Sequence, residues 1–434
     1  MKTQSDILAK LGIEKLNPMQ EEARKAILKN PEVVLLSPTG TGKTLAFLLP
    51  IIEELKKKTE QVQAMVIVPS RELAIQIEQV LRQMGSGWKV NAFYGGRAGA
   101  QDRAELKTPP AILIGTPGRI ADHFRRKNIN TDYVRTLVLD EFDKSLEVGF
   151  DDEMKTIIDG LPNLQKKILT SATQGIEIPE FLGLEDALTI NYLGSHSSKL
   201  SLRSVASPDK DKLSTLRALV ANTREGSGIV FCNFKATIDF VSDYFDEHDI
   251  EHSLFHGGME QIDRERALVQ FRNGTHRVLL ATDLAARGID VPELDYIIHY
   301  QMPAREPEFT HRNGRTARMH ASGTAYLMHW EKTPLPDFVE GAIPLELSKK
   351  VPAIKASKWD TIHVSGGRKD KISKGDLAGL FFKQGGLKKG ELGVIELGSQ
   401  HSYVAVPRAK SLALVKKLNN QKVKGRKVRV SVID

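Results

Sequence analysis

The 434-residue chain contains one cysteine, Cys232. That excludes an intrachain disulfide framework and a cysteine-based zinc site. Cys232 lies in the apolar run IVFCN and reads as a small buried strand residue. No stretch approaches the roughly 20 uninterrupted apolar residues that a membrane-spanning helix needs. The opening segment, MKTQSDILAKLGIEKL, mixes charges with apolar residues and has no signal-peptide core. Low-complexity segments are lacking too. Contents of 41% hydrophobic and 27% charged residues describe a globular protein rather than a disordered or fibrous one. A cytoplasmic, monomeric protein without membrane association is expected, long enough for two or three domains.

Positive charge is scarce over most of the chain. Trp359–Asp434 holds 16 Lys/Arg against 6 Asp/Glu, a net +10, whereas the whole chain is only +8, so residues 1–358 carry −2. Such asymmetry suits a polyanionic partner for the C-terminal piece, or else a basic surface that merely aids solubility.

Short β-branched runs alternate with longer amphipathic stretches. VVLLS (33–37), AMVIVPS (64–70), AILIGT (111–116), TLVLDE (136–141) and KILTSAT (167–173) form a first set. GIVFCNF (228–234), HSLFHG (252–257), RVLLATD (277–283) and YIIHYQMP (296–303) form a second. Continuous apolar strands separated by helical patterns predict α/β domains with buried parallel sheets. The Ser-rich stretch near 195–210 reads as a linker, and LSKKVPAIKASK (347–358) as a second one.

A strand runs into SPTGTGKT and then into the helical pattern LAFLLPIIEEL, the context of a phosphate-binding loop. Gly40 and Gly42 let backbone N–H groups approach phosphates, Lys43 reaches the β- and γ-phosphates, and Thr44 ligates Mg²⁺. Ser37 stands where the pattern has its first glycine, and Pro50 predicts a kinked or shortened helix. Asp140-Glu141-Phe142-Asp143 ends an apolar strand. Asp140 can hold Mg²⁺ through water and Glu141 can orient or deprotonate an attacking water, although such clusters also occur as solvated turns. In HRNGRTAR (311–318), Arg315 and Arg318 share a face if the segment is helical and could act as arginine fingers, or form a surface basic helix.

From about Ile13 to Arg318 these residues resemble the DEAD-box RNA helicase family. The resemblance implies two tandem RecA-like domains, 1–203 and 207–346. It implies an ATP site in which Gln20 reads adenine, Thr39, Gly40, Thr41, Gly42, Lys43 and Thr44 hold the phosphates, and Gly288 and Asp290 touch ATP. SAT (171–173) would couple hydrolysis to strand separation. Arg71 of PSRELA, Gly96, and Thr116 and Arg119 of TPGR would contact the RNA backbone. Gln261 with Arg264 would fill a further family position, with Arg264 at the RNA, and Thr282 and Arg287 would lie toward the RNA or the domain interface. Phe142 departs from the alanine of DEAD, Ile13 stands where the family has an aromatic, and Ala317 replaces a common glycine.

Residues 359–434 read as β-α-β-β-α-β, the order of an RRM-like α+β fold. Strand candidates are TIHVSG, LGVIEL, SYVAVP and KVRVSV. The third strand offers only Tyr403, as a stacking platform or a packing residue. Basic residues cluster in GGRKDKISK and QKVKGRKVR, which points to RNA binding by loops and edges through Arg368, Lys369, Lys371, Lys424 and Arg426. The piece resembles the C-terminal domain of DbpA-type helicases, which implies a structured hairpin of large-subunit ribosomal RNA and ribosome assembly. A kinase or GTPase would explain SPTGTGKT and DEFD but leave Gln20, SAT and HRNGRTAR without roles. A DNA helicase shares the engine, but the adenine-reading segment and the RRM-like tail favour RNA. An ATP-gated RNA clamp or annealing chaperone uses the same residues and stays open.

Overall fold

The computed structural model describes residues 3–433 except 58, 148, 174–177, 195–198, 224–225, 284–290, 292–293, 317–321 and 349–350. The chain divides into two compact units, the second of which begins at Lys199.

The first unit is built on seven parallel strands. These are β1 (Glu32–Leu36), β2 (Ala64–Ile67), β3 (Val90–Phe93), β4 (Ile112–Gly115), β5 (Thr136–Leu139), β6 (Lys166–Ser171) and β7 (Leu188–Asn191), in the order β3-β4-β2-β5-β6-β1-β7. Alternate residues feed two cores, as a sheet covered on both faces requires. Val33, Leu35 and Val66 pack in one cluster, and Val34, Met65 and Ile67 in the other. Crossover helices supply the other wall of each core. Pro50 lies inside the Lys43–Glu54 helix instead of shortening it.

The second unit contains another parallel sheet and a small antiparallel one. Its large sheet comprises β8 (Lys199–Ser207), β9 (Gly228–Phe231), β10 (His252–Phe255), β11 (Val278–Ala281), β12 (Tyr296–His299), β13 (Ser322–Trp330) and β14 (Ile343–Pro344). Their order is β10-β11-β9-β12-β13-β8-β14. The expected linker near 195–210 is therefore corrected. Residues 199–207 form a nine-residue strand that pairs along its length with β13, and the boundary expected at 203–207 falls inside it. A Ser-rich segment with little apolar content becomes a strand because two neighbours satisfy its backbone groups. Strands β3, β7, β13 and β14 were not anticipated either. Cys232 sits one residue past β9, fully buried, and burial pushes its thiol up to about 12.

The small sheet consists of β15 (Trp359–Val364), β16 (Ile395–Leu397), β17 (Ser402–Pro407) and β20 (Val430–Val432), ordered β16-β17-β15-β20 with antiparallel pairing. A separate hairpin joins β18 (Lys422–Val423) to β19 (Arg426–Lys427). Ile362, Val364, Val404 and Val406 face the two helical segments and close a core with Leu377, Phe381 and Leu414. The expected β-α-β-β-α-β order is present. Among the described residues no helix is long and apolar enough to cross a membrane.

Candidate functional site

In the first sheet β1 and β5 flank β6, so the three loops leaving their C-terminal ends converge. That edge is where ligands bind in open α/β sheets. The loop after β1 runs Ser37–Gly42 into the Lys43–Glu54 helix, whose first turn has no side-chain cap and leaves its N–H groups available to an anion. Gly42 has φ +84°, where a side chain is strained, and a Cβ there would lie 2.3 Å from Gln20 Nε2 and displace it. Lys43 is buried, and its ammonium donates to the Ser37 and Pro38 carbonyls, the latter at 3.1 Å.

Gln20 is the third residue of the Pro18–Lys29 helix and forms a capping box with Asn17. Its backbone N–H donates to Asn17 Oδ1 at 2.9 Å, and Gln20 Oε1 accepts from the Asn17 N–H at 3.0 Å. Gln20 Nε2 donates to the Gly42 carbonyl at 3.2 Å, and Asn17 Nδ2 to the Thr41 carbonyl at 3.0 Å. The segment expected to read adenine is thus tied to the phosphate loop. Thr39, Gly40 and Thr44 lie on the same loop and helix start, and the Thr41 hydroxyl bonds Ser37 Oγ at 2.8 Å. Ile13 packs on the first core, partly buried.

Asp140 follows β5 and is buried. Its burial, then the neighbouring Glu141 charge, pushes its carboxyl up to about 6, against hydrogen bonding from Thr170 and the charge of Lys43. Glu141 has φ +51°, an uncommon conformation for a side-chain-bearing residue, and its N–H donates to Thr170 Oγ1 at 3.3 Å. Asp143 accepts from the Thr173 hydroxyl at 3.1 Å, which connects the DEFD turn to the SAT turn. Phe142 is 1% exposed and fills the core cluster of Ile67, Leu139 and Leu169. The ring points into the core, and Asp140, Glu141 and Asp143 keep their places around it.

Three other loops of the first sheet bring Arg71, Gly96, Thr116 and Arg119 to its same edge, after β2, β3 and β4. Gly96, at φ +84°, lies over Arg71, where a Cβ would stand 2.8 Å from the guanidinium. Arg119 pairs with Asp102 at 2.7 Å and donates to the Arg97 carbonyl at 3.0 Å. Asp102 is fully buried and also pairs with Arg97 at 2.9 Å and His123 at 3.1 Å. This ionic cluster was missed from sequence, because no local pattern marks residues that meet across separate crossover helices.

In the second sheet the structure gives the arginine segment a different form. The Glu306–Asn313 helix ends with Gly314 as its cap, so Arg315 lies beyond it. Arg315 is buried, and Arg312 is buried more deeply. Arg312 forks onto both oxygens of Asp283, donates to the Gln301 carbonyl at 2.6 Å and Asn233 Oδ1 at 2.8 Å, and lies 5.1 Å from the Phe231 ring. Arg264, expected at RNA, is 6% exposed with its guanidinium 4.9 Å from the Phe255 ring. Thr282 is half-buried at the end of β11, bonded through its N–H to the Phe255 carbonyl. Arg287, Gly288, Asp290, Ala317 and Arg318 lie outside the described residues.

On the small domain Arg368, Lys369, Lys371, Lys424 and Arg426 are all exposed. Arg426 pairs with Asp370, and Lys424 lies 3.6 Å from Asp376, so the two basic loops meet.

A doubly repeated parallel sheet with one phosphate loop and an acidic turn beside it defines a nucleotide-driven helicase core. The DEAD/DEAH box helicase profile matches residues 17–181, the helicase conserved C-terminal domain 211–320, and the DbpA RNA binding domain 361–432. The ATP-dependent RNA helicase DbpA of Escherichia coli (strain K12) is 32% identical over 98% of this chain and 96% of its own length. Its Bacillus subtilis (strain 168) namesake is 29% identical over 97% and 95%. Saccharomyces cerevisiae Dbp5 bound to RNA and ADP BeF3 matches with a TM-score of 0.68 and 26% identity, over 75% of this chain and 88% of that one. The DEAD-box helicase Mss116 bound to ssRNA and UDP-BeF also gives 0.68, at 25% identity over 74% and 71%. The chain belongs to the DEAD-box family of ATP-dependent RNA helicases and carries a C-terminal DbpA-type RNA-binding domain.

Proposed function

We propose that this helicase remodels structured RNA of the large ribosomal subunit during ribosome assembly, as a cytoplasmic monomer. The observation that carries this reading is the meeting of two exposed basic loops, 366–371 and 422–427, on one small domain attached to a helicase core. Their charge and exposure suit phosphate contacts, which fix position on an RNA. The division into 1–203, 207–346 and 359–434 is kept as functional regions, with β8 moved wholly to the second.

The residues of the two large domains are assigned the following roles. Gln20 has one amide hydrogen and one lone pair beyond its present bonds, enough to read an adenine edge. Lys43 exchanges the Ser37 and Pro38 carbonyls for the β- and γ-phosphates of ATP. Glu141 orients the attacking water and takes up its proton. Arg315 and Arg318 neutralise charge on the transferred phosphoryl group, with Gly288 and Asp290 beside the nucleotide. Arg71, Gly96, Thr116, Arg119 and Thr282 hold the RNA strand, and Arg264, expected there too, is buried against Phe255 and shapes the surface beside it.

Mg²⁺ fits the donor set. Asp140 is a carboxylate whose proton affinity is raised by burial and then by the neighbouring Glu141 charge, and a cation would offset both. Among the described residues no group of three His, Cys, Asp or Glu is placed to hold a metal. Mg²⁺ suits one carboxylate, the Thr44 hydroxyl, waters and phosphate oxygens. When bound it would spread negative charge away from the phosphates.

The test is ATP hydrolysis by the full chain with no RNA, generic single-stranded RNA and a large-subunit ribosomal RNA fragment, alongside Glu141→Gln. Strong stimulation confined to the ribosomal fragment, and an ATP-binding but nearly inactive Gln variant, are expected. Equal stimulation by every RNA would remove the ribosomal target, and normal turnover by Glu141→Gln would remove the role of Glu141.

A further inference from the structure

An RRM-like sheet has two faces, and in this chain the second is covered over β17 and part of β15, while Ser431 of β20 stays exposed. One face of β15 and β17 closes the domain's own core. The other presents a row across all four strands, Glu396, Tyr403, His363 and Ser431, set by the strand register. An RRM uses this face to stack unpaired bases. Here Tyr403 is 4% exposed, and the groups around its hydroxyl include Glu265 and Arg266 of the second large domain.

The contacts are specific and polar. Arg272, the last residue of the Gln261–Arg272 helix, grips Glu396 through two parallel bonds of 2.6 Å. Such forked pairs fix both distance and orientation. Thr361, fully buried, meets Asn273 at 3.1 Å and Thr275 at 2.8 Å. Arg408 forks between Asp360 of its own domain, at 2.9 Å, and Glu251 of the other. The connecting segment is tied down as well. Ser357 donates its N–H to Glu251 at 3.1 Å, Arg277 holds the Lys355 carbonyl, and Ile354 packs on the core of the second large domain. Domains joined by a loose linker move independently by default. These bonds run from both partners and from the linker.

We propose that the sheet face of the C-terminal domain is an intramolecular docking surface for the helix Gln261–Arg272 and the loop 273–277, and not a base-stacking surface. The C-terminal domain and the second helicase domain then move as one body. RNA held on the basic loops is carried rigidly with the second helicase domain, a consequence that rests on the RNA-binding reading above. The docking itself does not rest on it.

The test is amide hydrogen exchange on the full chain, comparing wild type, Arg272→Glu, Glu396→Arg and the double exchange. Both side chains of this pair are about a quarter exposed, so the single variants keep their cores. Each single variant is expected to raise exchange about tenfold in β15, β17 and the 261–272 helix, with the first unit unchanged, and the double variant to restore protection. Wild-type exchange in the single variants would overturn the proposal, and so would a double variant as loose as the singles. A second arm adds the ribosomal RNA fragment to the wild type. Protection confined to 366–371 and 422–427 supports the proposal, whereas new protection in β15 and β17 overturns it. The charge exchange needs no RNA, so failure of the fragment to bind would count against the RNA reading alone.

Discussion

The two large sheets share one strand order. Counted within each sheet, both read 3-4-2-5-6-1-7. Yet the loop after the first strand differs in chemistry. After β1, the glycine-rich loop leaves the start of the Lys43–Glu54 helix uncapped and open to an anion. After β8, SPDKDK leads into the Leu213–Asn222 helix, and that helix start is filled from within the chain. Asp211 accepts from the Leu213 N–H at 3.0 Å, and Asp209 from the Ser214 hydroxyl at 3.2 Å. The Asp211 carboxylate takes one N–H at the second copy's helix start, whereas the glycine-rich loop of the first leaves such groups to an anion. One frame thus serves as a catalytic sheet and as a supporting one, and the difference lies in a few loop residues.

The arginines of the second copy provide the largest test of that contrast. Arg312→Ala removes a buried guanidinium from the half-buried Asp283 and Asn233 and is expected to cost the second unit about 3 kcal/mol. Arg315→Lys keeps the charge but loses the planar fork, and kcat for ATP is expected to fall about 10³-fold with unfolding midpoints unchanged. Denaturant melts and steady-state ATPase on both variants separate the two effects. If Arg312→Ala lost only activity, the division between a supporting and a reacting arginine would be wrong.

Phe142→Ala, which restores the family's alanine, probes the first copy. It empties a fully buried ring site and is expected to destabilise the first unit by about 3 kcal/mol, read by urea unfolding. A neutral result would mean that the ring is not part of the core.

Acid gives the smallest and most directional test. His299 is pushed down to about 3 by burial and by the Arg312 charge, and His276 to about 4, mainly by burial. Both ordinarily titrate near 6.5, so below that pH the unfolded chain binds more protons and the second unit loses stability as pH falls. His299 alone contributes about 2 kcal/mol between pH 7 and 5. Asp140 runs the other way. Its carboxyl is raised to about 6, so the folded form binds the extra proton, and the first unit regains stability as pH falls through that value. Calorimetry at pH 7 and 5 should show the second unit's transition moving down more than the first's. Parallel shifts would break the contrast.

Strands with unbroken apolar runs were legible in advance because burial on both faces of a parallel sheet leaves no room for polar alternation. Strand β8 was not, since KLSLRSVAS takes its identity from β13 and β14 on either side. The glycine loop and the acidic turn were legible as types of chemistry, since each depends on a few contiguous residues. The Asp102 cluster and the Arg312 hub were not, because their partners lie tens of residues apart. Tyr403 was left open between stacking and packing, and burial in the second unit assigns it to packing.

The unbroken apolar strands, the phosphate loop, the acidic turn and the C-terminal charge were determined by the sequence alone. Each follows from local periodicity or from adjacent residues whose chemistry needs no distant partner. Tertiary structure decided which loops share an edge, which arginine is buried on a carboxylate, and which face of the small sheet is covered. Those outcomes depend on groups far apart in the chain, and only packing brings the groups together.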